Sequence, residues 1–363
     1  MKKKSILLLV SALWLGPILF LVETPVSAIP MVSATKSYPP IPGLTDHYGD
    51  FRGQFEALTD PKIIPASQLT QLDDTEEVLG VTINGQSRAY PLRFIAWHHI
   101  VNDTLGGEPI AVTYCSVCNS GVVYNPIVDG KRRLFNVFGL YRGVMAMWDP
   151  SNSTVWSHLS GQALLGPDKG QSLSTHPVIN TSWGEWKRLH PSTTTPSWDT
   201  GFQQYYGDRI VSGEHSMPSE FPATLRGLRD DRLNPFTLVE GVRIGALVRA
   251  YPYDALDAAG GVAQEMLGSH SVVVLYDSSQ KTAAAFDPRI GSKTLEFSRA
   301  PIRLNAFLDT DTDSEWNVEG LCTSGKYAGT QLTRLSSEQS KWYGWSAYYP
   351  QTTVFTWPPA PRP

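Results

Sequence analysis

GVTINGQSRAYPLRFI at residues 80–95 and GVRIGALVRAYPYDAL at residues 241–256 read as one phrase written twice. In each, an apolar run meets a tight turn, returns as a second strand and reaches a proline. Residues 78–83, Asn84-Gly85 and residues 87–90 therefore predict a β-hairpin, because Asn-Gly tolerates the left-handed backbone of a two-residue turn. Pro91 suits the first position of a helix. Residues 92–101 are mostly apolar and predict a buried helix that ends in residues 102–107. Pro109 then leads into residues 110–114, a β-branched strand that delivers Cys115.

The match extends outward from both phrases. Leu105-Gly106 stands opposite Leu267-Gly268, IAVTY ending at Tyr114 opposite VVVLY ending at Tyr276, and Asn125-Pro126 opposite Asp287-Pro288. Trp156, Gly161, Leu173, Trp186 and Pro191 stand opposite Trp316, Gly320, Leu332, Trp345 and Pro350. Such self-similarity predicts an internal duplication, with similar halves at 78–198 and 239–357 and a linker at 199–238. The expected fold class is α+β, mostly antiparallel β with short helices. Residues 35–77, rich in proline and polar side chains, read as an irregular lead-in.

Lys2, Lys3 and Lys4, an apolar run over 6–22 and Val26-Ser27-Ala28 have the parts of an export signal at 1–28. The alternative is an uncleaved N-terminal anchor, since a run of that length can just span a bilayer. Either way the chain is expected outside the cytoplasm, periplasmic or secreted, touching membrane only through that segment. A net charge of −4, with no basic run after Lys4, argues against a nucleic-acid partner and leaves a small-molecule or envelope partner. GxSxG, HExxH, P-loop and dinucleotide fingerprints are missing from the sequence, so the common hydrolase and nucleotide chemistries gain no support.

The duplication also sorts residues. Arg88/Arg249, Tyr90/Tyr251, Tyr114/Tyr276 and the tryptophans occur in both halves and read as scaffold. His98, His99, Cys115 and Cys118 occur only in the first. Small residues near Ala259-Gly260 and the stretch Asp277-Ser278-Ser279-Gln280 stand opposite them. The first half is therefore expected to carry the chemistry. Three cysteines, two in Cys-x-x-Cys spacing and Cys322 far away, do not make a disulfide scaffold.

After Cys118 the sequence reads as a turn and then a strand, whereas a redox Cys-x-x-Cys opens a helix. Asn119 tolerates the positive φ that such a turn requires. This predicts a knuckle holding one transition metal ion, with Cys115, Cys118 and His98 as ligands and water, substrate or Met147 in the fourth position. Asn102 or Asp103 would orient His98, and His99 and Asn119 would stand around the ligands, His99 facing away from the ion. Zinc, copper and iron all suit this set; soft donors, export and a nearby methionine favour copper. If the site is catalytic, metal-dependent oxidation or hydrolysis is the expected class; if not, metal handling. Competing readings are a thiol–disulfide protein attacking through Cys115, and a non-catalytic envelope-binding module with aromatic grooves. His98 also reads as a hydrogen-bonded core histidine, His158, His176 and His190 as surface or hydrogen-bonding residues, and Met145 and Met147 as core filler.

These residues resemble the domain of unknown function 3179 family of prokaryotic, often exported proteins. RAYPLRFIAWHHIVND from Arg88, VTYCSVCNSG, the MWDP segment from Met147, STVWSHLSGQALLGP from Ser153 and SWGEWKRLHP from Ser182 carry the resemblance over most of residues 60–205. By it, His98 is the family histidine, His99 stands where Glu is typical, Asn119 where Gly is usual, and His158 where Gln is typical. The resemblance implies a shared site and brings no reaction with it.

Overall fold

A computed structural model describes residues 38–207, 221–301 and 305–358. The predicted export segment at 1–28, residues 35–37 of the lead-in and residues 208–220 of the linker, with His215, lie outside them. The hairpin forms as the sequence predicts. Strands Glu77–Ile83 and Gln86–Pro91 pair antiparallel, and Asn84 and Gly85 take φ of 50° and 76°. Gly80 is glycine because the Trp186 ring lies on it: a Cβ there would stand 2.2 Å from ring carbons. Gly241 and Trp345 repeat that contact at 2.2 Å.

The helix is shorter than the sequence predicts. It spans Leu92–His98, Pro91 capping it from the end of the preceding strand, and it stops because His99 turns left-handed at φ 58°. The β-branched pair Ile100-Val101 then opens the strand Ile100–Leu105, so Asn102 and Asp103 lie in a strand and not in a terminating loop. This strand pairs with Glu108–Cys115, which pairs with Ser120–Tyr124. A third sheet contains Asn136–Tyr141, Val144–Asp149 and Thr154–Ser157.

Nor is the lead-in wholly irregular. Tyr48–Asp50, Leu58–Thr59 and Ile63–Pro65 each add an edge strand to one of these sheets. Most pairings are antiparallel; Leu58–Thr59 against Val101-Asn102 is one of the parallel ones. Antiparallel sheets with few short helices make this an α+β architecture.

The same order of elements appears again later. Leu238–Ile244, Leu247–Pro252, the helix Tyr253–Ala258, Val262–Leu267, His270–Asp277 and Thr282–Asp287 follow one another as their counterparts do. Arg88 binds Asp103 at 2.6 Å, and Arg249 binds Glu265 at 2.5 Å in the matching place.

Cores cross between the halves. Trp183 and Trp186, on the first half's helix Trp183–Leu189, pack with Val273, Leu275 and Phe286 of the second. Tyr343, on the second half's helix Trp342–Tyr348, joins Cys115, Cys118, Met145, Met147 and Trp156 of the first. Each half thus closes a core in the other.

Candidate functional site

Strand Glu108–Cys115 brings Cys115 to its last position, a four-residue turn follows, and Ser120–Tyr124 leaves as the next strand. Asn119 sits at φ 49°, the left-handed step that lets the chain reverse directly after Cys118. Lys281, in the matching turn of the second half, has φ 51°. The turn is thus common to both halves, and the sulfurs are particular to one.

Both cysteines are free thiols, Cys115 2 % exposed and Cys118 0 %. The Cys118 N–H donates to Cys115 Sγ at 3.4 Å. Burial pushes the Cys115 thiol up, but hydrogen bonds from the Cys118 thiol and from backbone N–H groups of Met145, Cys118 and Val117 outweigh it and hold its pKa below the ordinary value. Cys118 moves the other way: burial, the hydrogen bond it gives to Cys115 and the charge of Cys115 all raise it. Cys115 is the more acidic of the pair.

Cys118 Sγ lies 2.9 Å from Ser120 Oγ, which lies 2.7 Å from His158 Nε2. Thr113 Oγ1 donates its one hydrogen to Val122 O at 2.8 Å. Thr113 must then accept from His158 Nδ1, 2.9 Å away. Nε2 also lies 3.1 Å from Ser120 O, which only accepts, so the Thr113 contact calls for the proton on Nδ1 and the Ser120 carbonyl for the proton on Nε2. Burial pushes His158 down to about 3, so the ring is neutral at physiological pH. The thiol, hydroxyl and imidazole form one buried chain.

The second half supplies the cover. Lys341 N–H donates to Cys118 O at 2.7 Å. A Cβ added to Gly344 would stand 3.2 Å from Cys118 Cβ. Lys341 is 0 % exposed and its Nζ has no hydrogen-bond partner, with the Phe236 ring centroid 5.5 Å away. Burial lowers its pKa, and the charges of Cys118 and Cys115 act against that. The hydroxyl of Tyr343 is likewise buried without a partner.

Met147 is fully buried in the same cluster as the cysteines. His98 is elsewhere. Its Nδ1 is 2.6 Å from Glu56 O and its Nε2 is 2.6 Å from Tyr206 Oη, so both ring nitrogens are occupied. Because the helix ends at His98, the imidazole faces the lead-in and Tyr206, and the expected Cys115–Cys118–His98 ligand set does not assemble. Among the described residues no three His, Cys, Asp or Glu side chains are grouped to hold an ion. The core-histidine reading describes His98.

His99 Nδ1 is 3.0 Å from Tyr114 O, and its ring meets Phe55 edge-on. Asn102 and Asp103 do not orient His98. Asn102 exchanges two hydrogen bonds with the backbone of Phe135, at 3.0 and 2.8 Å. Asp103 accepts from Arg88 at 2.6 Å and from Tyr90 at 2.7 Å. His190 bridges the halves, 3.0 Å from both Ser87 Oγ and Glu319 Oε1. Cys322 is buried in the other core, its thiol 3.2 Å from Ser324 O.

Sequence reasoning missed Ser120, Lys341 and Tyr343, and read His158 as a surface or hydrogen-bonding residue, of which the second holds. His158 and Lys341 carried a usable signal: each is an ionisable residue absent from the matching half, where Val318 and Ser182 lie near or at the corresponding positions.

A model of the family described as protein of unknown function (DUF3179) matches residues 52–352. No curated protein and no solved structure shows significant similarity to the chain.

Proposed function

The chain belongs to the family of proteins of unknown function DUF3179, which brings no reaction with it, and we propose from its residues an exported metal-binding protein whose ion lies between the Cys115 and Cys118 thiolates. The observation that carries this reading is the knuckle: strand, turn and strand, with Asn119 left-handed and the Cys118 N–H on Cys115 Sγ. Backbone N–H groups directed at sulfur stabilise thiolate, the form that binds metal. Two soft sulfurs with Met145 and Met147 in the same cluster favour copper over zinc or iron. The residues available to hold the ion are Cys115 and Cys118, with Met147 as a third donor; His98 is not among them. In this reading the two halves are copies of one unit, the second without the sulfurs. The recurring order of elements and the paired Gly80–Trp186 and Gly241–Trp345 contacts support it.

The test is elemental analysis of mature protein purified without chelator, beside a Cys115→Ser/Cys118→Ser variant. About one ion per chain, lost in the variant, is expected. No ion after reduction and reconstitution overturns the reading.

The chain of Cys118, Ser120 and His158 favours a second reading, a thiol–disulfide protein. Cys115 thiolate would attack a substrate disulfide, and Cys118, its proton passing along Ser120, would displace the substrate from the mixed disulfide. The substrate leaves as a dithiol and the protein as a disulfide. Reversible loss of two titratable thiols without bound metal would select this reading.

A further inference from the structure

Lys341 stands where a lysine is costly on two counts. It is buried with its ammonium unpartnered, and it caps the N-terminus of the helix Trp342–Tyr348, the end at which a cation is disfavoured. The matching position in the first half is Ser182, an ordinary cap that accepts the Glu185 N–H at 3.1 Å. The turn facing Ser182 also differs. Ser182 Oγ bonds Gln280, which occupies the place of Cys118. Thus one half pairs a neutral cap with a neutral amide, and in the other a buried lysine caps the helix and bonds the cysteine turn through its backbone N–H, 2.7 Å from Cys118 O.

We propose that Lys341 is the counter-charge of this site and that it selects a monovalent soft cation, copper(I) or silver(I), over a divalent ion. The proposal rests on the metal reading above. Two thiolates and a monovalent ion carry a net charge of −1, which Lys341 neutralises within a buried unit. Two thiolates and a divalent ion are already neutral, and Lys341 would then be an uncompensated buried cation, which the interior disfavours strongly. A monovalent d¹⁰ ion is also satisfied by two soft sulfurs, so the absence of a third His, Cys, Asp or Glu nearby is no obstacle. The second half completes the site with charge, where the first supplies sulfur.

The test uses the reduced, anaerobic full chain, with copper(I) affinity read by competition against a chromophoric chelator and zinc(II) affinity by an indicator dye. Lys341→Met should weaken copper(I) binding by roughly 10–100-fold, the usual effect of removing a residue that supports metal ligands. Zinc(II) binding should hold or tighten, and Lys341→Arg should keep the monovalent preference. The metal-free Lys341→Met protein should be at least as stable as the natural one, because an unpaired buried charge has gone. A merely structural lysine would instead weaken both metals and the apo protein together.

If the variants fail to fold, the natural chain decides: silver(I) should raise its unfolding temperature more than zinc(II) does. Equal copper(I) affinity in Lys341→Met, or a natural chain that prefers zinc(II), overturns the inference and leaves the metal reading standing. A natural chain that binds neither ion overturns both.

Discussion

Gly344→Ala tests whether the second half seals the cysteine turn. In the middle of a helix this change alone gains about 0.5–1 kcal/mol, since glycine loses the most conformational freedom on folding. Here the new methyl would stand 3.0 Å from Val144 Cγ2 and 3.2 Å from Cys118 Cβ. Both are fully buried and neither is the free end of a long side chain. Overpacking of that kind costs about 1–3 kcal/mol, so against the helical gain the net loss spans about 0–2.5 kcal/mol and centres on about 1 kcal/mol. The helix should also ride up from the turn. Urea denaturation followed by tryptophan fluorescence reads the first effect, and the rate at which a thiol reagent modifies Cys118 reads the second. An alanine variant that is as stable as the natural protein, with thiols equally shielded, would refute the packing argument.

His158→Gln should cost less than about 1 kcal/mol, because an amide can still bond both Ser120 and Thr113, whereas His158→Leu should lose about 2 kcal/mol; equal denaturation midpoints would sink the hydrogen-bonding role of the ring. Asn102→Leu removes both bonds to the Phe135 backbone and should cost about 2–4 kcal/mol, read in the same assay. Burial holds His98 and His99 down to about 4, so the unfolded chain takes up their protons first. Stability should therefore fall as pH drops from 6.5 towards 4, by up to about 3 kcal/mol per histidine, and His158, held down to about 3, extends the fall below 4. Glu240, held up at about 7 by burial, acts in the opposite sense as pH rises from 4.5, so His99→Gln must be compared with the natural protein at each pH. A parallel profile would show that His99 does not contribute.

Local chemistry was legible in the sequence. Asn84-Gly85 announced its turn, and Asn119 announced the left-handed step after Cys118, because both are settled by the residue's own backbone preference. The end of the helix was harder to read. His99 takes a positive φ that its side chain does not call for, and the β-branched pair after it decides for strand. The role of His98 could not be read from spacing, since Glu56 and Tyr206, far apart in sequence, use both its nitrogens. Lys341 differs visibly from Ser182 in sequence, but only the crossing of the chain brings it to the cysteine turn.

That crossing sets an order of events. Synthesis delivers the Cys115–Cys118 turn long before the Trp342–Tyr348 helix that covers it. Until the C-terminal end arrives, the two thiols stand open to oxidants and metal ions. The interval between emergence and closure is therefore the period in which the sulfurs are loaded, protected or lost. Once the helix has docked, the state of the site is sealed in, and its history before closure becomes its composition.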